Sequence, residues 1–201
     1  MPTYKLTYLE FQGLAEPARL LFAAGGMKYE DVRLKREQWL ELKPRSPTGH
    51  LPILEVDGTV IGESRAVWRL IAKEVGMAGK TLLEQARADM IVDSIFGDLT
   101  PDLAFFWEED ENKKVKLKQK FVEKTLPTLA RFEKLASAEG YFVGNSMSWA
   151  DVYFFHFIDV VNKLIPGEHL KGYASLKRVV DNVSSNPGIA KWLKDRPETP
   201  F

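Results

Sequence analysis

The chain has no cysteine. That excludes disulfides, thiolate metal sites and a cysteine nucleophile, so any thiol chemistry here must use a sulfur brought by another molecule. It has no charge bias either: 28 Lys and Arg balance 28 Asp and Glu, which argues against nucleic acid or an anionic membrane as the main partner. Its three histidines, His50, His156 and His169, are scattered without metal-ligand spacing, and no zinc or other metal site is expected. No apolar run approaches the length of a membrane span. The first residues lead into an alternating strand pattern rather than an apolar leader. A soluble cytoplasmic protein is the expectation. No internal repeat or low-complexity tract interrupts the 201 residues.

What is present suffices for a core, with 45% of residues hydrophobic, and the length fits one large domain or two small ones. Residues 4–8, Tyr-Lys-Leu-Thr-Tyr, alternate as a strand. Residues 14–24 read as a helix, with Pro17 tolerated in the first turn and Gly25-Gly26 ending it. A second strand over 29–34 leads into a polar loop holding Trp39, Lys43, Pro44 and Pro47. Strands over 53–56 and 59–61 flank Asp57-Gly58, a two-residue hairpin turn. Ser64 is placed to cap a helix over 65–75, which Gly76 stops.

From Leu82 onward strand signals vanish. The pattern predicts a helix over 82–103 with a bend at Thr100-Pro101, and a long amphipathic helix over 113–138 kinked at Pro127. Ser148-Trp149-Ala150-Asp151 opens another helix as a capping-box variant, and two shorter helices follow near 175–184 and 188–195. The lysines at 113, 114, 116, 118 and 120 read as a solvated helix face. The change of pattern over 76–82 predicts a small α/β domain over 1–76, a linker, and an all-helical domain over 82–201.

The stretch Thr-Gly-His-Leu-Pro-Ile-Leu-Glu-Val-Asp-Gly-Thr-Val-Ile-Gly-Glu-Ser-Arg-Ala at 48–66 carries chemistry beyond its hairpin. A proline heading a strand gives up a ladder hydrogen bond, and such prolines are often cis. A cis Leu51-Pro52 bond would turn the Leu51 backbone outward, ready to pair with an extended ligand like one more short strand. Ser64 at a helix start offers its hydroxyl and nearby N–H groups to a carboxylate, and Glu63 can accept from an ammonium group. A ligand with an α-amino acid head and a peptide body satisfies both. Trp39, Lys43 and His50 could hold a carboxylate at its far end. Each residue alone reads as a cap, a strand edge or a surface charge. The combination matches one small zwitterionic peptide.

With these residues in view, the whole chain resembles the cytosolic glutathione transferases, most closely the sigma class, which includes glutathione-dependent prostaglandin D synthases and cephalopod lens crystallins. The residues that carry the resemblance are Tyr-Lys-Leu-Thr-Tyr at 4–8, Gly13 with Ala15-Glu16, Trp39 with Lys43, residues 51–58, Glu63-Ser64-Arg65-Ala66, and Gly144-Asn145-Ser146-Met147-Ser148-Trp149-Ala150-Asp151. The resemblance implies an N-terminal thioredoxin-like domain, a C-terminal helical-bundle domain, a homodimer and glutathione as co-substrate. It places the catalytic hydroxyl on Tyr8, and glutathione contacts on Tyr8, Trp39, Lys43, Gly49, His50, Leu51, Pro52, Glu63 and Ser64. It implies an apolar co-substrate pocket with Leu9, Leu14, Phe105, Phe106, Trp107, Tyr153, His156 and Phe201 as candidates.

The chemistry agrees with the resemblance. A thioredoxin-like redox enzyme needs a cysteine just after its first strand, and here Tyr8 ends that strand instead. A free thiol has a pKa of about 8.5 and is mostly protonated at neutral pH. A phenol donating to the thiolate favours that form.

Three positions depart from the family pattern. Leu14 stands where arginine is usual near the sulfur, Glu63 where glutamine is frequent, and Gly97 where a neighbouring subunit often supplies an aspartate to the glutathione amine. Asp98, next to Gly97, is the candidate replacement. Conjugation to a hydrophobic electrophile is the expected reaction, as in detoxification. Glutathione-dependent isomerisation of a lipid endoperoxide is a close variant. A lens-type structural protein or non-catalytic carrier is the alternative from another class.

Overall fold

The structure is a computed structural model and describes residues 2–199. The first part of the chain runs through β1 (Tyr4–Leu9), α1 (Glu16–Ala24), β2 (Glu30–Leu34), α2 (Arg36–Leu42), β3 (Ile53–Val56), β4 (Thr59–Ile61) and α3 (Ser64–Glu74). Then follow α4 (Leu82–Ser94), α5 (Glu111–Lys120), α6 (Leu129–Glu133), α7 (Trp149–Leu164), α8 (Ala174–Ser184) and α9 (Pro187–Asp195). The chain divides into two compact units, one formed by residues up to Ala78 together with those from Ser185 on, the other by Gly79–Ser184.

In the first unit four strands form one sheet in the order β2-β1-β3-β4. β1 runs parallel to β2 and antiparallel to β3, as a thioredoxin-like βαβ-ββα arrangement requires. Tyr4, Leu6 and Tyr8 alternate onto one face of β1 and are buried, the two-residue period of a pleated strand. Tyr4 packs on Phe22 of α1 at 5.6 Å between ring centroids. Asp57 and Gly58 both take positive φ, so the expected hairpin turn is present.

Two expectations for this unit are corrected. The polar stretch with Trp39 is not a loop but contains α2. Gln38 Oε1 accepts the Lys35 N–H at 2.8 Å at its start, and none of its residues is buried, so it carries no apolar periodicity. Ser64 does not cap α3: Glu63 occupies the cap position at φ 65° and ψ 113°, and Ser64 is the first helical residue. The last helix of the stretch read as the second domain lies in the first unit. α9 packs on α1 in the first unit, so closely that a Cβ on Gly188 would lie 1.9 Å from the Ala23 carbonyl oxygen. Only glycine fits that crossing.

In the second unit α7 is central, with twelve of its sixteen residues buried, as an all-round apolar helix must be. The Ser148–Asp151 capping arrangement is present: the Asp151 carboxylate accepts from Ser148 N–H and Oγ, each at 2.7 Å. It also accepts from the Phe142 N–H at 2.8 Å.

The two long helices expected here are interrupted rather than bent. α4 widens into a π turn over Ile95–Leu99 and tightens into 3-10 geometry over Thr100–Trp107. The helix starting at α5 does the same over Phe121–Thr125 and Leu126–Thr128. Pro101 and Pro127 each lack the N–H that would continue the ladder. Nearby hydroxyls take up carbonyls instead: Thr100 Oγ1 donates to the Ile95 oxygen at 3.2 Å and Thr128 Oγ1 to the Thr125 oxygen at 2.6 Å.

Candidate active site

The predicted glutathione residues of the first unit fall on β1, on α2 and the segment after it, at the head of β3 and at the start of α3. Thr7 is in register with Ile53 of β3, so the Leu51-Pro52 pair falls beside Tyr8, one step past the ladder. That peptide bond is cis. Ser64, buried, opens α3 directly after the positive-φ Glu63. A non-glycine residue held at positive φ is a mark of sites where geometry is set by function. Trp39 is half-buried on α2, and Lys43 is exposed just beyond it. Gly49 takes φ +71°, and the exposed His50 bonds the Thr48 carbonyl through Nδ1 at 2.8 Å.

Tyr8 is the focus of the arrangement. It is only 7% exposed, with Phe11 edge-on to its ring at 5.3 Å. Its oxygen accepts the Leu14 N–H at 3.1 Å. The phenol therefore already has a donor on its oxygen, and its own O–H is left to give. Burial raises its pKa, while the Leu14 N–H and the Arg19 charge act in the opposite direction. A phenol normally titrates near 10, so Tyr8 stays protonated at neutral pH and acts as a hydrogen-bond donor, not a base.

Residues that sequence reasoning missed hold Tyr8 in place. The Leu14 peptide is fixed from both sides, because its carbonyl accepts from Nε1 of the fully buried Trp68 on α3 at 2.9 Å. Gly13 lies against the phenol: a Cβ there would meet the Tyr8 oxygen at 2.6 Å. Arg19, fully buried on α1, donates through Nη1 to the Phe11 carbonyl at 3.0 Å and the Gln12 carbonyl at 3.3 Å. It also pairs through Nε with Asp31 at 3.1 Å. In the sequence Trp68 and Arg19 look like ordinary helix residues. The only signal was the apolar face of α3 and the proximity of α1 to Tyr8 in the chain.

The candidates for the apolar pocket fare unevenly. Leu9 and Leu14 are half-buried in the first unit. In the second, Phe106 is half-buried and Trp107 is 64% exposed, with their rings edge-to-face at 5.0 Å. Phe105, Tyr153 and His156 are all less than a tenth exposed. Phe105 packs on Phe121, and the Tyr153 hydroxyl is paired with Thr100 Oγ1 at 2.9 Å. Phe201 lies outside the described residues. Asp98 forms an ion pair with Arg131 at 2.7 Å. Among the described residues no group of three or more His, Asp or Glu side chains could hold a metal ion. None of the helices described is long and apolar enough to cross a membrane.

Comparison with known proteins agrees with this geometry. The model of the glutathione S-transferase N-terminal domain matches residues 4–73, and that of the C-terminal domain matches residues 98–196. The chain is 42% identical to glutathione S-transferase 1 of Ascaris suum, over the whole of both chains. It is 39% identical to the hematopoietic prostaglandin D synthase of Gallus gallus, over 99% of each. Among solved structures, a glutathione S-transferase of Necator americanus described as monomeric, Na-GST-3, superimposes with a TM-score of 0.87 at 36% identity, covering 99% of this chain and 100% of that one. The chain belongs to the glutathione S-transferase family. Members of this family are enzymes that take glutathione as co-substrate.

Proposed function

We propose that Tyr8 donates its phenolic hydrogen to the sulfur of bound glutathione and so makes the thiolate the dominant form near neutral pH. The thiol proton leaves to solvent, and the thiolate forms a carbon–sulfur bond with a hydrophobic electrophile as a leaving group departs with its bonding pair, or as an activated double bond takes up the pair and a proton from solvent. The observation that carries this reading is the Tyr8 oxygen held by the Leu14 N–H at 3.1 Å in a buried site: the bond aims the phenol and burial keeps it protonated. The peptide of glutathione would lie along Leu51 and Pro52, with Gly49 giving the loop its close approach. One carboxylate would sit on Ser64 at the start of α3, the amine near Glu63, and the other carboxylate by Trp39, Lys43 and His50. Leu9 and Leu14 are the side chains that the first unit offers to an apolar co-substrate, and no metal takes part.

The deciding experiment is a titration of bound glutathione between about pH 5 and 9, following thiolate absorbance, in the parent protein and in Tyr8→Phe. A thiol pKa depressed by about two units and restored toward about 8.5 by Tyr8→Phe is expected. An unshifted pKa, or one indifferent to Tyr8→Phe, would leave the carrier or structural reading in its place. Similarity to a prostaglandin D synthase supports a second reaction at the same thiolate, isomerisation of a lipid endoperoxide, which product analysis with that substrate tests.

The finer assignments belong to this proposal too. The sigma class fits the similarity to both a nematode transferase and a prostaglandin D synthase. The cytoplasm fits because it holds glutathione reduced. A homodimer is supported by the exposed apolar residues Leu82, Leu83 and Met90 on α4, two of them seven residues apart on one face. Asp98 would then serve the second copy only by exchanging its Arg131 partner for the glutathione amine. Sedimentation decides between this dimer and the monomer described for the Necator protein.

A further inference from the structure

Glu16 is a fully buried carboxylate that the thiolate chemistry does not use. It is the first residue of α1. Its Oε1 accepts from Trp192 Nε1 at 2.8 Å and from Arg196 Nη1 at 2.9 Å, both at the C-terminal end of the chain. Its Oε2 pairs with Arg19 Nη1 at 3.4 Å. The same Arg19 nitrogen bonds the Phe11 and Gln12 carbonyls. Those carbonyls shape the turn whose next residues are Gly13 and Leu14, and the Leu14 N–H reaches the Tyr8 oxygen. A continuous run of bonded groups thus leads from α9 to the phenol.

We infer that the C-terminal helix belongs to the active-site machinery, with Trp192 and Arg196 acting through Glu16 and Arg19 as positioning residues for the Tyr8 hydroxyl. The inference rests on the reading that Tyr8 activates the glutathione thiol. Its physical basis is charge balance in a closed space. A buried carboxylate with too few partners is costly and draws in whatever cation is near. Two donors from the C-terminal segment satisfy Glu16, so Arg19 can direct Nη1 to the turn carbonyls. Without them Glu16 competes for Arg19, the turn loosens, and a positive charge is lost from the neighbourhood of the phenol. The other charged groups of this cluster, Asp31 and the Arg33 paired with it at 2.9 Å, stay in place. Tyr29 stacks on Phe22 nearby, kept neutral by burial. Both effects make Tyr8 a weaker donor.

The test uses the full chain with Arg196→Ala, Arg196→Lys and Trp192→Phe. Tyr8 is followed in the ligand-free protein by ring-carbon NMR, assigned with Tyr8→Phe, and the thiol pKa is measured with glutathione bound. Arg196→Ala and Trp192→Phe should each raise the Tyr8 phenol pKa. Each should also raise the bound-thiol pKa by about half to one unit, a roughly three- to tenfold smaller acid-dissociation constant. Arg196→Lys should restore most of the effect. Folded variants with both values unchanged would overturn the inference. Should Arg196→Ala not fold, Trp192→Phe, which keeps the ring bulk and removes only the N–H donor, decides by the same readings. The ligand-free Tyr8 titration separates this result from the thiolate proposal, since it needs no glutathione. A parent protein that fails to bind glutathione would sink the latter alone.

Discussion

Replacing Gly13 by alanine should disable the site with a single methyl group. Gly13 has φ +43°, and a Cβ there would stand 2.6 Å from the Tyr8 oxygen, 2.8 Å from its Cε1 and 2.7 Å from the Phe11 ring. None of these neighbours is the loose end of a flexible side chain. Tyr8 is buried and tied to the Leu14 N–H, so it yields only by breaking that bond. A left-handed alanine costs about 1–2 kcal/mol and overpacking typically about 1–3 kcal/mol. A total loss of about 2–5 kcal/mol corresponds to a melting point roughly 4–20 °C lower for a chain of this size. The larger effect is on chemistry. A displacement of about 1 Å at a reacting group can cost about a hundredfold in rate, so kcat/KM should fall by roughly that factor. The bound-thiol pKa should return toward about 8.5, while KM for glutathione changes little. Steady-state kinetics, the glutathione titration and thermal unfolding on one preparation give all four numbers. A folded Gly13→Ala protein with the parent's bound-thiol pKa would refute the argument that this turn sets the hydroxyl.

Three further perturbations test other parts of the site and fold. Ser64→Ala removes a buried hydroxyl at the start of α3, and losing a bond to a carboxylate at about 1.5–3 kcal/mol should raise KM for glutathione roughly 10- to 100-fold with kcat nearly kept; an unchanged KM would take Ser64 out of the site. Leu14→Arg restores a cation beside the sulfur and should lower the bound-thiol pKa by about half to one unit, and a titration identical to the parent's would show that this side chain points elsewhere. Burial lifts the Asp151 carboxyl to about 6 from an unfolded value near 4, so its contribution to stability is full below about pH 4 and lost as pH rises through about 6. Denaturant unfolding across that range should show the parent losing roughly 2–3 kcal/mol relative to Asp151→Asn, and a difference that does not change with pH would contradict it.

The sheet was legible because each strand carries its own marks: alternation in β1, the Asp57-Gly58 turn, Pro52 at the head of β3. α2 was not, because a helix with no buried residue leaves no apolar period to read. Pro101 and Pro127 announced that two helices would break, but not how. Whether a helix kinks or passes through a π turn depends on local hydrogen bonds that a pattern of residue types does not show, such as those of the Thr100 and Thr128 hydroxyls. The surface on which α9 packs was hidden for a similar reason. Local pattern shows that residues 187–195 form a helix. Which surface receives it depends on Gly188 meeting Ala23 and Trp192 meeting Glu16, pairs far apart in the chain.

The candidate site was legible in residue types that suit a ligand and hidden where side chains face the protein. Tyr8, Pro52 and Ser64 form a recognisable set, but the groups that give Tyr8 its character are a backbone N–H, a glycine, a buried arginine and a buried indole. Their combined effect also resolves a tension in the mechanism. Burial raises the phenol's pKa, which by itself makes a poorer hydrogen-bond donor. A phenol acidic enough to ionise near neutral pH would do worse, for a phenolate beside a thiolate repels it. The arrangement needs a hydroxyl that keeps its proton yet shares it strongly. Burial supplies the first property. The Leu14 N–H on the oxygen and the Arg19 charge supply the second, since both draw electron density from the O–H bond. The ionisation governing the acid limb of the pH–rate profile then belongs to the bound thiol, and no loss of activity from Tyr8 ionisation occurs below about pH 10.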